Sequence, residues 1–189
     1  MCSAAFQNET TAELWLCDNS TNKMPTRLKV CQAIAMIGNI AVLRWAHDKA
    51  FPWNKDTCAA AAPGGGLDAL KWLRKNGCPW DAYTCANAAR GGHLELLKWA
   101  HENGRPWNTL TCAYAAAHGH LEILKLARAN GSPWNELTGA SAARGGYLGI
   151  LKWARDNGCP WDTGRLTCAY AAEHGHLEIL KWARANGSP

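Results

Sequence analysis

The stretch "NGRPWNTLTCAYAAAHGHLEILKLARANGSPW", residues 103–134, contains one full period of a pattern that continues along most of this 189-residue chain. Its proline–tryptophan pair returns every 27 residues, at Pro52, Pro79, Pro106, Pro133 and Pro160. A constant period of this kind is the signature of a repeat protein, because one small unit cannot bury its apolar face and stacked neighbours must cover it. We therefore predict one elongated array of stacked units.

Each unit is predicted to contain two short helices. In the quoted stretch, Asn108 is a suitable N-cap for a first helix rich in alanine, and Gly119 ends that helix. The second helix places Leu121 and Leu124 on one face and ends at Gly131, before the next proline. The predicted fold class is therefore all-α, a solenoid of helix-turn-helix units.

The glycine between the two helices gives the number of units. It recurs at Gly38, Gly65, Gly92, Gly119, Gly146 and Gly175. We predict six repeats of about 27 residues over residues 26–189, the last with two extra residues. Residues 1–25 contain "AELWLCDN", which looks like a degraded second helix, and are predicted to form a degenerate N-terminal capping segment.

Tryptophan marks the boundary between successive units. One set follows the prolines, at Trp53, Trp80, Trp107, Trp134 and Trp161, and another lies in the second helices, at Trp45, Trp72, Trp99, Trp153 and Trp182. A buried indole covers ~150–250 Å², which compensates for first helices made of small residues. We interpret the proline as the stop of one helix and the tryptophan as the side chain that fills the seam, with ligand stacking as the alternative.

The segment "AAAHGHLEILKLARANG", from Ala115 to Gly131, resembles the two-helix body of an ankyrin repeat, whose pattern is "AAxxGHLEIVxLLLxxG". The resemblance extends over residues 26–189, although the period is shorter than the ~33 residues of that family. The missing residues fall where ankyrin repeats form a projecting hairpin, so these hairpin fingers are expected to be shortened or absent. The chain is similar to the short "CPW" variant found in large DNA viruses and protists.

Cysteines and histidines raise the alternative of a metal or redox site. One repeat position carries Cys31, Cys58, Cys85, Cys112 and Cys168. Neighbouring helices pack ~8–10 Å apart, which exceeds the ~4.4–6.8 Å that a disulfide spans, so we predict buried thiols. The "HGH" phrases at residues 118–120 and 174–176 lack the further ligands of a zinc site, and no metal or cofactor is expected.

Catalytic patterns are not recognisable in the sequence. The glycine-rich phrase "PGGG" at residues 63–66 lacks the lysine and hydroxyl residue of a phosphate-binding loop. Short stacked hairpins also offer few deep pockets. We therefore expect no enzymatic activity.

The positive charge, formally +5, is concentrated on the second helices. One position carries Arg44, Lys71, Lys98, Lys125, Lys152 and Lys181, and another, one turn later, carries Arg74, Arg128, Arg155 and Arg184. Such a basic stripe favours nucleic acid or an anionic surface as an alternative partner. Acidic residues three positions before several of the lysines are expected to neutralise part of the stripe, which favours a solvated outer face.

The partner site is predicted on the first helices, where several positions differ from unit to unit while neighbouring alanines hardly change. The resemblance to ankyrin repeats implies that these positions line a concave groove, and tyrosine and arginine are frequent interface anchors. We predict a protein partner bound by Tyr83, Asn87, Arg90, Leu110, Tyr114, His118, Leu137, Ser141, Arg144, Leu166, Tyr170 and Glu173. The alternative is that this surface varies because nothing constrains it.

The two ends of the chain give two further expectations. The N-terminus lacks the pattern of a signal peptide, and no run of apolar residues is long enough to cross a membrane, so we expect an intracellular, cytoplasmic protein, in the host cytoplasm if it is viral. The last repeat has no polar capping unit, so an exposed apolar surface is expected around Leu177, Leu180 and Trp182, through which the chain could self-associate.

Overall fold

The computed structural model describes residues 24–162 and 165–188, and within these ranges the chain forms twelve helices and no strand. The proposed capping segment, residues 1–25, lies outside the described residues apart from its last two, which begin the first helix. The helices alternate between two roles along the chain, as the repeat pattern predicts. Each first helix is followed by a second helix that packs back against it.

The six first helices are α1 Met24–Ile37, α3 Lys55–Ala61, α5 Ala82–Gly91, α7 Thr109–Ala117, α9 Glu136–Gly145 and α11 Leu166–Glu173. The six second helices are α2 Ile40–Asp48, α4 Leu67–Lys75, α6 Leu94–Glu102, α8 Leu121–Ala129, α10 Leu148–Asp156 and α12 Leu177–Ala185. Except for α1, each helix has only two to three turns, so an isolated helix would be marginal in water and stability must come from packing.

Local hydrogen bonds fix where the first helices begin and end. The Asn108 side chain accepts from the Thr111 amide at 3.2 Å, and the Thr111 hydroxyl accepts from the Asn108 amide at 3.4 Å, which forms a capping box at the start of α7. At the other end, Gly119 adopts φ +84°, and the His120 amide donates to the Ala115 carbonyl at 2.9 Å. The predicted cap and the predicted stop are both confirmed.

The "NG" phrase ends five of the six second helices, and α2 is followed by Lys49 and Ala50 instead. The Asn103 side-chain amide donates to the Trp99 carbonyl at 2.8 Å, and Gly104 follows with φ +79°. The same asparagine bond occurs at Asn76, Asn130, Asn157 and Asn186. The connectors at residues 49–54, 76–81, 103–108 and 130–135 contain no strand, so these connectors have no hairpin finger.

The last unit keeps its cap despite two extra residues. Asp162 is buried, and its carboxylate accepts from the amides of Leu166 and Thr167 at the start of α11. Asp162 follows Trp161 as Asn108 follows Trp107, so the longer connector retains the capping side chain.

Small residues allow the first helices to stack closely. Each first helix packs against the next, whereas the second helices, which carry leucine and tryptophan, lie farther from one another. The first helices therefore form one close-packed row, and the second helices form the other row. Between the two rows, Leu97, Leu124 and Leu151 are at most 1% exposed and belong to a core that is continuous along the array.

The repeated cysteine lies in this core, as predicted. Cys58, Cys85 and Cys112 are completely buried. Burial raises the pKa of the Cys31 and Cys85 thiols to about 12, and it raises the pKa of Cys159, a buried cysteine of the connector before Pro160, to about 11. These thiols are therefore neutral packing groups at physiological pH.

Alkaline pH is expected to destabilise the fold through these thiols. In the unfolded chain a thiol ionises near ~8.5, whereas in the folded chain Cys85 keeps its proton to about pH 12. The folded state then binds more protons, so this contribution to stability is complete below pH ~8.5 and is lost as the pH rises. Between about pH 8 and pH 10, the free energy of unfolding measured in urea should decrease for both chains. The decrease should be about 1–2 kcal/mol smaller for Cys85→Ala than for the wild-type chain. Equal alkaline losses would contradict this assignment.

Candidate functional site

A groove of about 420 Å³ lies on the row of first helices and is lined by residues of α5, α7 and α9, by His118 after α7, and by His174 after α11. It is lined by Arg90, Tyr114, Ala117, His118, Ser141, Arg144, Gly145 and His174. Its volume falls within the ~300–1,000 Å³ range of ligand-binding clefts. It is partly open to solvent.

Close approach of the helix ends shapes the groove. A Cβ atom at Gly145 would lie 2.3 Å from the Ala117 carbonyl oxygen, and one at Gly91 would lie 2.4 Å from the Pro63 carbonyl oxygen. No side chain fits at these positions without moving backbone. Glycine therefore allows the C-terminal ends of successive first helices to meet, which brings their last residues into one cleft.

Two histidines of the groove are oriented by their own helices. Nδ1 of His118 donates to the Tyr114 carbonyl at 3.0 Å, and Nδ1 of His174 donates to the Tyr170 carbonyl at the same distance. Since a carbonyl oxygen only accepts, Nδ1 carries the hydrogen in both rings. Each ring is fixed to its helix end, and its Nε2 has no hydrogen-bond partner among the described residues.

The two arginines of the groove are exposed and lack acidic partners. The Arg90 guanidinium has no hydrogen bond or ion pair within the described part of the chain, and Arg144 lies 5.8 Å from the Tyr170 ring centroid, also without an ion pair there. No aspartate or glutamate is among the lining residues. The lining therefore carries two guanidinium groups without an ion pair.

The structure brings together five of the twelve predicted site residues in this groove, namely Arg90, Tyr114, His118, Ser141 and Arg144. Tyr170 adjoins it through its contact with Arg144. Six predicted residues do not line the groove: Tyr83, Asn87, Leu110, Leu137, Leu166 and Glu173. All twelve are exposed or half-buried on the first helices, and Tyr83, at 52% exposed, and Leu137, at 39%, extend the surface toward the helix starts.

One predicted site residue has a structural bond instead of a free side chain. The Asn87 side-chain amide donates to the Ala59 carbonyl at 3.1 Å, which joins α5 to α3. Three lining residues are absent from the twelve predicted residues, namely Ala117, Gly145 and His174. Ala117 occupies the variable position of Arg90 and Arg144, and His174 occupies the repeat position of His118, whereas Gly145 gives no signal of its own.

Three of the second helices are preceded by a histidine that joins two units. Nε2 of His120 donates to the Arg90 carbonyl at 3.1 Å, and Nε2 of His176 donates to the Arg144 carbonyl at 3.2 Å. His93 makes the equivalent bond to the Pro63 carbonyl at 2.7 Å. These bonds hold the ends of α5 and α9, which carry the groove arginines.

Within the described ranges, no three metal-ligating side chains come together.

The tryptophans pack at the seams between units, as interpreted from the sequence. The Trp80 ring lies between Arg74 of the preceding second helix, 4.8 Å from its centroid, and Trp99 of the next, 5.4 Å away. Arg128 and Arg155 stack in the same way, 4.2 Å and 4.4 Å from the connector tryptophan that follows. The Nη1 group of all three arginines also donates to a connector carbonyl. These arginines therefore stabilise the contacts between neighbouring units.

Several lysines of the second-helix stripe are ion-paired. Lys98 lies 2.8 Å from Glu95, Lys125 lies 2.8 Å from Glu122, and Lys181 lies 3.0 Å from Glu178. Exposed pairs of this kind contribute only ~0–1 kcal/mol to stability. Their effect on the surface is nevertheless clear, because each acid offsets one positive charge of the stripe.

The last unit exposes apolar surface. Leu177 is 57% exposed, and Leu180 is half-buried, whereas its equivalents Leu124 and Leu151 are completely buried. Trp182 is also half-buried and contacts Trp161, with ring centroids 5.9 Å apart. Self-association through this surface stays a prediction.

Among residues 24–162 and 165–188, no helix has the length and apolar character needed to cross a membrane.

Sequence comparison matches the chain to no protein-family model and to no curated protein. Among solved structures, the crystal structure of the human ASB11 ankyrin repeat domain is similar to it, with a TM-score of 0.63 and 17% sequence identity over 84% of each chain. This likeness agrees with the helix pairs and the stacking order described above. The chain therefore has the ankyrin-repeat fold, built from short units whose described 27-residue repeats carry no hairpin fingers.

Proposed function

We propose that this chain is a non-enzymatic scaffold that binds a partner protein through the concave face of its first helices. The groove carries the proposal, because it is lined by residues of four successive units that differ at equivalent positions. Tyr114 and Ser141 share one repeat position, and Arg90, Ala117 and Arg144 share another. Packing alone does not require such differences in a stack of otherwise similar units.

The composition of the surface suits a protein partner. Tyrosine and arginine are enriched among interface residues that dominate binding. The exposed Tyr83 and Leu137 lie on the same row of helices and would extend the contact beyond the groove. An interface over several units can then reach the ~800 Å² per partner of a standard complex.

The second-helix stripe gives weaker support to a nucleic-acid or anionic-surface partner. Its arginines contact tryptophans and connector carbonyls, and three of its lysines are paired with glutamates. A phosphate backbone would have to compete for these cations. Titration of generic DNA and RNA at low salt tests this alternative, since strong binding that weakens steeply with salt would favour it.

Alanine substitution in the groove is expected to weaken the partner complex. A tagged chain would be crosslinked in its native cell, and the captured protein would be identified by mass spectrometry and produced recombinantly. In calorimetry, Tyr114→Ala and Tyr170→Ala should each weaken its binding by about 2 kcal/mol or more. The melting temperature should change little, because neither tyrosine belongs to the buried core.

Lys125→Ala on the second helices is the matched control, since its side chain lies on the opposite row and pairs with Glu122. We expect it to leave binding of the same partner unchanged. Equal, negligible effects of all three substitutions would place the binding site elsewhere. A larger loss with Lys125→Ala than with either tyrosine variant would transfer the site to the second helices.

A further inference from the structure

We infer that the segment bound in this groove is an extended acidic peptide whose carboxylates pair with Arg90 and Arg144. The inference rests on the proposed function, because it names the chemistry of the partner that the same groove would bind. The two guanidinium groups are exposed, line one cleft and have no acidic partner within the described residues. Arginine binds carboxylates through two parallel hydrogen bonds, which gives direction as well as attraction.

The distribution of charge separates the groove from the rest of the surface. On the second helices, three lysines form ion pairs with glutamates, and two arginines stack on tryptophan rings. At the start of the first helices, Lys55 pairs with Asp81 at 3.1 Å. The groove lining contains two arginines and two histidines and no acid. Positive charge is thus left unpaired where the side chains of four units converge.

The helix ends leave both guanidinium groups available to a carboxylate. The C-terminus of a helix carries the equivalent of about half a negative elementary charge, whereas Arg90 and Arg144 each carry a full positive charge near the ends of α5 and α9. Part of the carbonyl array at these ends is already bonded, since His120 donates to the Arg90 carbonyl and His176 to the Arg144 carbonyl. The helix ends therefore lower the potential of the groove, but they form no ion pair with either guanidinium group.

The spacing of the arginines favours a peptide over a nucleic acid. They lie two units apart, and neighbouring helices pack ~8–10 Å apart, so their backbones are separated by ~16–20 Å. An extended peptide rises ~3.3 Å per residue, so this separation corresponds to carboxylates about five to six residues apart. The unit between them contributes Tyr114, Ala117 and His118 to the lining, so no continuous row of arginines or lysines is offered to a phosphate backbone.

A random peptide library displayed on phage tests the inference. It would be selected at low salt against the immobilised wild-type chain, Arg90→Gln/Arg144→Gln, and the control Lys125→Gln/Lys152→Gln, which removes the same charge from the second helices. We expect peptides selected on the wild type to be enriched in aspartate and glutamate. As synthetic peptides they should bind the groove variant ~10-fold or more weakly, and bind the control as tightly as the wild type.

The possible negative results separate an error in the acidic peptide from an error in the groove itself. Peptides that depend on Tyr114 but show no acidic enrichment would overturn the acidic partner and leave the proposed groove intact. Peptides that are insensitive to both Tyr114→Ala and the arginine variant would contradict the groove itself. Binding of a single-stranded oligothymidine that the arginine variant abolishes, with no acidic peptides recovered, would replace the peptide by a nucleic acid.

Discussion

Leu124→Ala is expected to lower the free energy of unfolding by about 3–4 kcal/mol. Leu124 is completely buried in α8, in the middle of the array, and belongs to the continuous core between the two rows of helices. Removing most of its side chain loses transfer free energy and leaves a cavity that flanking helices cannot easily fill. Urea denaturation followed by circular dichroism measures the change, with the slope of the transition showing whether the array still unfolds as one unit.

The same substitution on an exposed leucine provides the control. Leu177 is 57% exposed at the start of α12, so Leu177→Ala should change the free energy of unfolding by no more than about 0.5 kcal/mol. A loss at Leu124 as small as the loss at Leu177 would mean that the central units are not packed as described. A split transition for Leu124→Ala would show that neighbouring units separate before the whole array unfolds.

Most of the fold could be predicted from the sequence because its determinants are local and repeated. The cap at Asn108, the stop at Gly119 and the "NG" phrase each act within a few residues of their own position. Stacking then follows from composition, since alanine-rich first helices pack closely and bulky second helices do not. The buried cysteine position and the tryptophan seams could be predicted for the same reason, because both recur at the period of the packing.

The candidate site could be predicted only in part, because it depends on contacts between units. The exposed positions of the first helices follow from helical geometry, and five of them line the groove. The convergence of helix ends could not be foreseen, because it depends on the approach of Gly145 to the Ala117 carbonyl. The Asn87 bond to Ala59 was missed for the same reason.

The charge of the surface shows a second limit of sequence analysis. Counting residues places a basic stripe on the second helices, and its members do lie there. Arg128, however, stacks on Trp134 and donates to the Ser132 carbonyl, so its role is to hold a seam. Arg90 belongs to no basic cluster along the sequence, yet it lines the same groove as Arg144, which lies two units away. Which cations are available to a partner is therefore decided by tertiary contacts.

Gly145→Ala is expected to destabilise the chain by about 3 kcal/mol and to disturb the groove. The added Cβ would lie 2.3 Å from the Ala117 carbonyl oxygen and 2.8 Å from the Tyr147 ring. A ring can rotate away, but the carbonyl belongs to the backbone of α7, so α7 and α9 must separate. Because both helices carry groove side chains, partner binding should weaken together with thermal stability.

Gly149→Ala is the matched control for this prediction. Gly149 lies in α10, four residues later, and a Cβ atom there would meet nothing within 4 Å. Alanine is the better helix former by ~0.5–1 kcal/mol, so this variant should be slightly more stable and bind normally. Calorimetric melting of both variants would separate steric conflict from a general effect of replacing glycine. Equal or higher stability of Gly145→Ala would show that the two helix ends do not meet as closely as the groove requires.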